Sequence, residues 1–157
     1  MTRLRGRAPR GQRLHAKAPA GRWQTTTMIC SIRLDGTKAC MTIESATDTE
    51  VFRVYIEKIL GPTLRRGDIV VMDNLSPHKS GPTLQMLRKL GARPLFLPPY
   101  SPDLNPIEKM WSKVKGLLRS AEARNPEELN TAIGQALDKV TAQDAWGWFV
   151  SSGYSFI

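Results

Sequence analysis

The chain of 157 residues has few cysteines, few acidic residues and no long apolar run, and these shortages exclude several protein classes. Two cysteines without a neighbouring histidine do not form a zinc-binding motif, so we expect Cys30 and Cys40 to be free thiols packed as small apolar groups. No segment approaches the roughly 20 apolar residues that cross a bilayer. The amino terminus lacks the apolar core of a secretory signal. We therefore expect a cytoplasmic protein with no membrane partner.

The shortage of acidic residues leaves a strong positive charge. Lys and Arg number 23 against 14 Asp and Glu, which gives a net charge of +9 and a pI near 10.0. Such a charge favours a polyanion such as nucleic acid. Residues 1–22 carry no acidic side chain and are predicted to form a basic extended segment; a solvated tail without a target is the structural alternative. The arginines predicted to contact DNA there are Arg3, Arg5, Arg7, Arg10 and Arg13.

The periodicity of apolar residues predicts alternating strands and helices. Asp35-Gly36 between two β-rich runs indicates a hairpin. The strands are predicted over 24–34, 37–43, 68–73 and 93–97, and the helices over 47–60, 83–90, 106–119, 126–137 and 141–150. The residues 98–103 are too rich in proline for a helix and predict a stiff loop. The pattern favours an α/β fold with a mixed sheet and helices on both faces, in one domain over 1–157.

Three packing details follow from the same patterns. The spacing from Thr47 to Glu50 predicts a capping box at the first helix. Tyr100 in the stiff loop is expected to pack beneath it, although stacking on a base is the alternative. The apolar positions expected to face the core in the first and last helices are Val51, Val54, Tyr55, Ile59, Leu60, Trp146, Trp148 and Phe149.

Two acidic residues stand where chemistry is expected. Asp73 ends an apolar strand, where open α/β sheets place ligands, although an aspartate there often only caps a turn. Glu108 lies three residues after Asn105 at the start of a helix, where a capping box would also explain it. The 34 residues between the two acids supply one helix, one strand and one loop, which can bring both carboxylates to one sheet edge. Carboxylates on rigid elements bind Mg²⁺, and two such ions can cleave a phosphodiester.

Two motifs make a resemblance specific. The segments VVMDNLSPHKS (Val70 to Ser80) and LFLPPYSPDLNPIEKMWSKVKGLLR (Leu95 to Arg119) resemble the hallmark blocks of mariner-like bacterial insertion-sequence transposases. The resemblance extends over the chain and implies a ribonuclease-H-like fold of the superfamily with two Asp and one Glu. It implies that Asp73 and Glu108 are the second and third metal-binding acids, with two Mg²⁺ or Mn²⁺ ions in the complete site. The implied reaction is DNA strand cleavage and strand transfer at transposon ends and target DNA.

The resemblance also suggests supporting residues around the two acids. Asn74, His78 and Asn105 are expected to order the site or contact DNA, with polar surface or helix-capping roles as the alternatives. The basic residues near the motifs that are expected to contact DNA are Lys79, Lys109, Lys113 and Arg119, although a solvated helix face explains them equally well. A homodimer and association with the bacterial nucleoid are further expectations of the resemblance.

One element of the family pattern has no counterpart. The first acid is expected on a first central strand, but no aspartate precedes Asp35, and Asp35 and Asp48 fall in a turn and at a helix start. We therefore expect an amino-terminally truncated catalytic domain lacking that strand. An upstream reading frame could supply it, and this chain alone is predicted to have little or no activity. The alternative is a non-enzymatic DNA-binding fragment that interferes with or complements a full transposase.

Overall fold

A computed structural model describes residues 6–15 and 25–155. The expected DNA contacts Arg3 and Arg5 therefore lie outside the described residues. The described part is a mixed α/β fold, as the sequence predicts. Its strands are β1 (Thr27–Ile32), β2 (Lys38–Ile43), β3 (Ile69–Met72) and β4 (Arg93–Phe96). Its α-helices are α1 (Thr49–Tyr55), α2 (Ser76–Lys79), α3 (Gly81–Lys89), α4 (Pro106–Ala121), α5 (Pro126–Asp138) and α6 (Ala142–Ser151).

The predicted hairpin is confirmed. β1 and β2 pair antiparallel, with Thr27 opposite Ile43. Gly36 in the turn has a φ of +83°, and a Cβ there would lie 2.8 Å from the backbone of Ala142, so the turn admits only glycine. The expectation of free thiols is wrong: Cys30 and Cys40 lie directly opposite each other and form a disulfide. The composition did not indicate it, because the pairing depends on the register of the hairpin.

β3 and β4 form a second, parallel sheet of two strands. β3 was expected to be a buried strand, yet of its residues only Met72 is buried, and Ile69 is 49% exposed. Within the part of the chain that the structure describes, each strand has one hydrogen-bonded neighbour, so the four strands form two separate sheets. A run of β-branched residues normally fills a sheet interior. Val70 and Val71 are only partly buried, so β3 does not lie in a sheet interior.

The first helix starts one residue later than the capping pattern suggests. Asp48 is the N-cap and accepts a hydrogen bond from Val51 N, whereas Glu50 pairs with Arg53. The helix continues as a π-helical segment, Ile56–Leu60, and a 3₁₀ turn. Its buried residues are Phe52, Tyr55, Ile56 and Leu60. Phe52 and Ile56 were missing from the expected stripe and the expected Val54 is half-exposed, because the helical face is rotated from the one predicted.

Two hydrophobic clusters cover opposite faces of β1. Ile29 packs with a cluster formed by the first helix, β3 and α3. Met28, Cys30 and Ile32 pack with a second cluster formed by α4 and α5. Successive side chains of a strand point to opposite faces, so helices lie on both sides of the hairpin.

The carboxy-terminal helices follow the predicted pattern closely. Met110, Val114 and Leu118 of α4 are buried, and Asn125 caps α5 by accepting from Glu128 N. α6 begins with a capping box between Thr141 and Asp144. Trp148 packs against the α4–α5 cluster as expected. Trp146 does not, since it is 56% exposed. No helix of the described chain is both long and apolar enough to cross a bilayer.

Candidate active site

A cavity of about 900 Å³ opens between β1 and β3. Its lining includes both acids singled out by the sequence, Asp73 and Glu108, together with His78 and Asn105. Apolar side chains from both hydrophobic clusters form most of the remaining wall. The structure thus brings the two acids to one cavity from different elements of the fold.

Asp73 directly follows the last residue of β3. Its Oδ1 accepts a hydrogen bond from Leu75 N at 3.1 Å. This is the turn-capping contact expected of a strand-end aspartate. The side chain is still 48% exposed, and no bond to Oδ2 occurs among the described residues. Turn capping and ligand binding are therefore compatible at this carboxylate.

His78 on α2 is held against Asp73. Its Nδ1 lies 2.7 Å from Asp73 Oδ1. The ring packs on Phe52 with centroids 4.4 Å apart, and the side chain is only 18% exposed. Nδ1 is buried without a well-directed hydrogen bond in the described structure. The ring and the carboxylate are therefore in close contact without forming a hydrogen bond.

Asn74 connects the ends of the parallel strands. Its Nδ2 donates to Leu97 O at 2.6 Å, across a sequence separation of 23. That bond holds the loop after β3 against the residue that follows β4. Asn74 therefore fixes the backbone on which Asp73 stands, and it is not among the residues lining the cavity.

Glu108 lies in the first turn of α4 and is exposed. Asn105 occupies the N-cap position with an extended backbone, but its side chain makes no capping hydrogen bond. The capping box that would explain both residues structurally is therefore not formed. Within residues 25–155, the Glu108 carboxylate has neither a hydrogen bond nor an ion pair, which leaves both of its oxygens available to a ligand.

The donor set fits divalent-metal binding only in part. Hard cations take oxygen ligands, and Asp73 and Glu108 supply carboxylates at one cavity. Among the described residues, however, no group of three or more His, Cys, Asp or Glu side chains is arranged to hold a metal ion. Two carboxylates that are not reinforced by a third ligand hold an ion weakly and orient it poorly.

The basic residues near the motifs have different surroundings. Lys109 Nζ contacts Ser152 Oγ at 2.6 Å, and Lys113 pairs with Asp144 at 2.5 Å. This pairing holds the pKa of Asp144 below its usual value and ties α4 to α6. Lys79 is exposed, with its Nζ 5.9 Å from the ring centroid of Phe96. Arg119 is partly exposed at the far end of α4.

The described part of the basic amino-terminal segment lies open to solvent. Residues 6–15 are all exposed, with one turn closed by a hydrogen bond from Gln12 N to Pro9 O. Arg7, Arg10 and Arg13 therefore keep their guanidinium groups at the surface. They differ in this respect from Lys109 and Lys113, which are bonded to the protein.

Tyr100 contradicts its expected packing. The side chain is fully exposed, and its backbone is left-handed with a φ of +55°. A bulky residue rarely adopts this conformation outside tight turns. The proline-rich loop therefore projects the ring into solvent and does not bury it.

The sequence did not predict two features of the site. Arg33 and Asp68 form a two-pronged ion pair, with distances of 2.6 and 2.9 Å, that joins the end of β1 to the start of β3. This contact lowers the pKa of Asp68 to about 2. The tilted packing of the Phe52 ring against His78 was likewise not predicted. A long-range pair of this kind has no spacing rule, and only the helical periodicity of Phe52 could have placed it inward.

A known protein family matches the stretch of the chain that contains Asp73 and Glu108. Residues 1–130 match the family described as DDE superfamily endonuclease. The chain is 31% identical over 108 residues to the transposable element Tcb2 transposase of Caenorhabditis briggsae, covering 66% of this chain and 36% of the relative. It is 31% identical over 90 residues to the Tcb1 transposase of the same organism, covering 55% and 33%.

A human relative, histone-lysine N-methyltransferase SETMAR, is 35% identical over 75 residues, which cover 47% of this chain and 11% of the relative. The chain thus spans about a third or less of the length of these relatives. The match over residues 1–130 includes both acids of the cavity and the two motifs around them. The chain belongs to the DDE superfamily of endonucleases.

Proposed function

We propose that this chain is the carboxy-terminal part of a transposase catalytic domain, of the mariner-like bacterial insertion-sequence type. The observation that carries the proposal is the shared cavity of Asp73 and Glu108, two acids with 34 residues between them, one at a strand end and the other at a helix start. Family membership and the two transposase relatives support a DNA substrate. The order of strands and helices is compatible with an incomplete ribonuclease-H-like sheet.

In this proposal Asp73 and Glu108 hold Mg²⁺ or Mn²⁺. Bound metal supplies an activated water or hydroxyl and stabilises the leaving oxygen of a phosphodiester. The chain's own part is to position the two carboxylates. Asn74 fixes the loop, His78 packs on Phe52 and contacts Asp73, and α4 presents Glu108. Because a complete site needs a further acid, we expect this chain alone to nick DNA weakly or not at all.

Metal binding at the two acids is tested by titrating Mn²⁺ into ¹⁵N-labelled protein. We expect paramagnetic broadening of amides around residues 73–76 and 106–109, and its loss in Asp73→Asn and in Glu108→Gln. Asp103→Asn is the matched control, since this nearby exposed carboxylate does not line the cavity. Broadening that survives both cavity substitutions would refute the metal site. Robust nicking of plasmid DNA by the chain alone, abolished in Asp73→Ala, would refute the expected inactivity.

A second function is favoured by the absence of a three-ligand metal group among the described residues. In that case the chain is a DNA-binding fragment that interferes with or complements a full transposase. Its net charge of +9 supports binding to DNA without metal. An electrophoretic mobility assay in EDTA separates the two functions. Undiminished DNA binding by Asp73→Asn, together with no Mn²⁺ binding by the wild type, would favour the fragment.

A further inference from the structure

We propose that the ring of Tyr100 stacks on one unpaired base of the DNA strand that lies beside Asp73 and Glu108. The inference rests on the proposed function for its DNA substrate, and it goes further by naming the form of DNA that the site prefers. That form has an unpaired base at the end of a duplex, as in a frayed or forked end. Tyr100 is then a substrate-binding residue that holds the strand by a base.

The two most exposed large hydrophobic side chains of the described chain lie on the loops that follow β3 and β4. Tyr100 is fully exposed, and Leu75 is 58% exposed. Leu75 lines the same cavity as the two acids, and its N–H donates to Asp73 Oδ1. Tyr100 lies on the loop that leads from β4 toward the helix carrying Glu108. Proteins that bind DNA place apolar and aromatic side chains of this kind against bases.

The two loops are held together at the carboxyl end of the parallel strands. Asn74 Nδ2 donates to Leu97 O at 2.6 Å. Tyr100 follows Leu97 by three residues, which span at most about 11 Å of extended chain. The ring is therefore presented on the same side of the sheet as Asp73, which directly follows β3.

The loop that carries Tyr100 is rigid. Three prolines restrict the backbone within residues 98–102. Beyond the ring, Tyr154 Oη donates to Leu104 O at 3.1 Å and fixes the end of the loop. An aromatic ring on a rigid loop loses little conformational entropy when it binds, so stacking at this position is efficient.

The conformation of Tyr100 favours a binding role over a structural one. Its φ of +55° is unfavourable for a residue with a Cβ. The ring recovers none of this cost within the chain, because it is fully exposed. Residues held in such conformations cluster at sites that clamp ligands. A stacked base supplies the contact that the ring lacks in the free protein.

The charge around the loop favours DNA over a protein partner. Lys79 is exposed, and its Nζ lies 5.9 Å from the ring centroid of Phe96, four residues before Tyr100. The net charge of the chain is +9. A cation near the backbone and a ring on the base are the two contacts by which proteins hold unpaired nucleic acid.

Stacking on a protein ring requires a base whose face is free. Within a duplex both faces of a base are covered by its neighbours, and exposing one costs unpairing and unstacking energy. An already unpaired base avoids that cost. The proposal therefore predicts a preference of the chain for DNA with a forked end over the blunt duplex.

The probe is a duplex whose end is splayed by thymidine–thymidine mismatches, compared with a blunt duplex of the same length. Binding is measured by fluorescence anisotropy in Mg²⁺, since the chain alone is expected not to cut DNA. We expect Tyr100→Asn to weaken binding of the forked duplex about tenfold and to leave binding of the blunt duplex unchanged. Because asparagine suits the left-handed backbone, lost affinity in this variant does not reflect lost folding.

A direct readout and three controls accompany the affinities. Thymines of the fork replaced by 5-iodouracil should photo-cross-link to Tyr100, located by mass spectrometry. Tyr100→Trp keeps a stacking ring and should retain the preference for the fork. Trp146→Ala removes another exposed ring, on α6, and should change neither affinity. The slope of log affinity against log salt should be the same for Tyr100→Asn and the wild type, because the ring contacts no phosphate.

Three results would overturn the inference. The first is equal affinity of the wild type and Tyr100→Asn for the forked duplex. The second is an equal loss for forked and blunt DNA, because the ring then does not read an unpaired base. The third is a dimer in light scattering that Tyr100→Asn dissociates, which assigns the ring to a protein contact. If the wild type binds neither DNA, the DNA substrate of the proposed function fails as well. Binding of both without an effect of Tyr100 counts against stacking alone.

Discussion

Tyr100 has a left-handed backbone, and its exposed side chain does not offset the energetic cost of that conformation. A left-handed backbone costs a residue with a Cβ about 1–2 kcal/mol, and asparagine tolerates it better than most. Because the ring is fully exposed, it regains nothing by packing. We predict that Tyr100→Asn raises the free energy of unfolding by about 0.5–1 kcal/mol, measured by urea denaturation. Tyr154→Phe keeps its ring against Phe149 but removes the hydroxyl that donates to Leu104 O, and it should instead lower the free energy of unfolding. A destabilised Tyr100→Asn would show that the ring makes a stabilising contact.

His78 is predicted to position Asp73 for metal binding. The ring is confined by Phe52 and lies 2.7 Å from the carboxylate. Partners that orient a ligand commonly change metal affinity by about 10–100-fold. We expect His78→Gln to weaken Mn²⁺ binding about tenfold in calorimetric titration. The other histidine, His15, is exposed in the amino-terminal segment, and His15→Gln should have no effect. Equal affinities for wild type and His78→Gln would limit His78 to a packing role.

We predict that the ionisation of Asp68 makes the free energy of unfolding depend on pH. Hydrogen bonds from Arg33 lower its pKa from 3.8 to about 2 in the folded chain. The ionised Asp68 therefore makes its full contribution to the free energy of unfolding above about pH 4. This contribution is lost as the pH falls toward 2. After allowance for solvent screening it amounts to about 1 kcal/mol. We expect Asp68→Asn to be less stable than the wild type at pH 6, with the difference shrinking at pH 2.5. A difference independent of pH would mean that packing, not ionisation, is responsible.

At the scale of the element, the disulfide stabilises the β1–β2 hairpin. The bond closes a loop across a sequence separation of 10, and constraining such a loop in the unfolded chain contributes about 2–3 kcal/mol. We predict that dithiothreitol lowers the free energy of unfolding by that amount. The double variant Cys30→Ser with Cys40→Ser should be insensitive to the reductant. Unequal stabilities of the reduced wild type and the double variant would assign part of the effect to side-chain packing.

Elements that are determined by nearby residues in the sequence were predicted well, whereas features that depend on tertiary contacts were not. α4 and α5 have long apolar stripes and asparagine-proline starts, and their positions were correctly predicted. The first helix was misassigned by one residue, since Thr47 and Asp48 are both good caps and only the tertiary contacts of Phe52 select between them. The disulfide, the Arg33–Asp68 pair and the exposure of Tyr100 depend on register and topology. Such features have no short-range signal.

For the site, the sequence identified the two acids but not their surroundings. Asp73 and Glu108 were located by motif spacing, and the structure places both at one cavity. Their metal-binding roles remain predictions. A mixed sheet was expected, whereas the described strands form two sheets of two strands. Which strands pair depends on contacts between distant segments of the chain. Only coordinates show that residues of β1 and β3 line a common cavity.

At the scale of the whole molecule, the positive charge is predicted to act through the amino-terminal arginines. Arg7, Arg10 and Arg13 are exposed, whereas Lys109 and Lys113 are bonded to α6 residues or their neighbours. Each lost phosphate contact reduces the slope of log affinity against log salt by about 0.9. We expect the triple change to Ala at the arginines to reduce that slope by about 2–3, measured by fluorescence anisotropy with duplex DNA.

The matched comparison is the double variant Lys109→Met with Lys113→Met. It should destabilise the contact between α4 and α6 while changing the salt slope by less than about 1. Comparable slopes for the two variants would assign DNA contact to α4 as well. A loss of DNA binding confined to the lysine variant would contradict the prediction.

The division of the interior into two clusters has a consequence for the spacing of the acids. Asp73 follows Met72, which belongs to one cluster, and Glu108 precedes Met110, which belongs to the other. The distance between the carboxylates therefore depends on how the two clusters are held against β1, and the Arg33–Asp68 ion pair links β1 to the start of β3. Spin labels placed in the two clusters would measure any change in the distance between them. Under the proposed catalytic function, a change in that distance would alter how the two carboxylates share a metal ion.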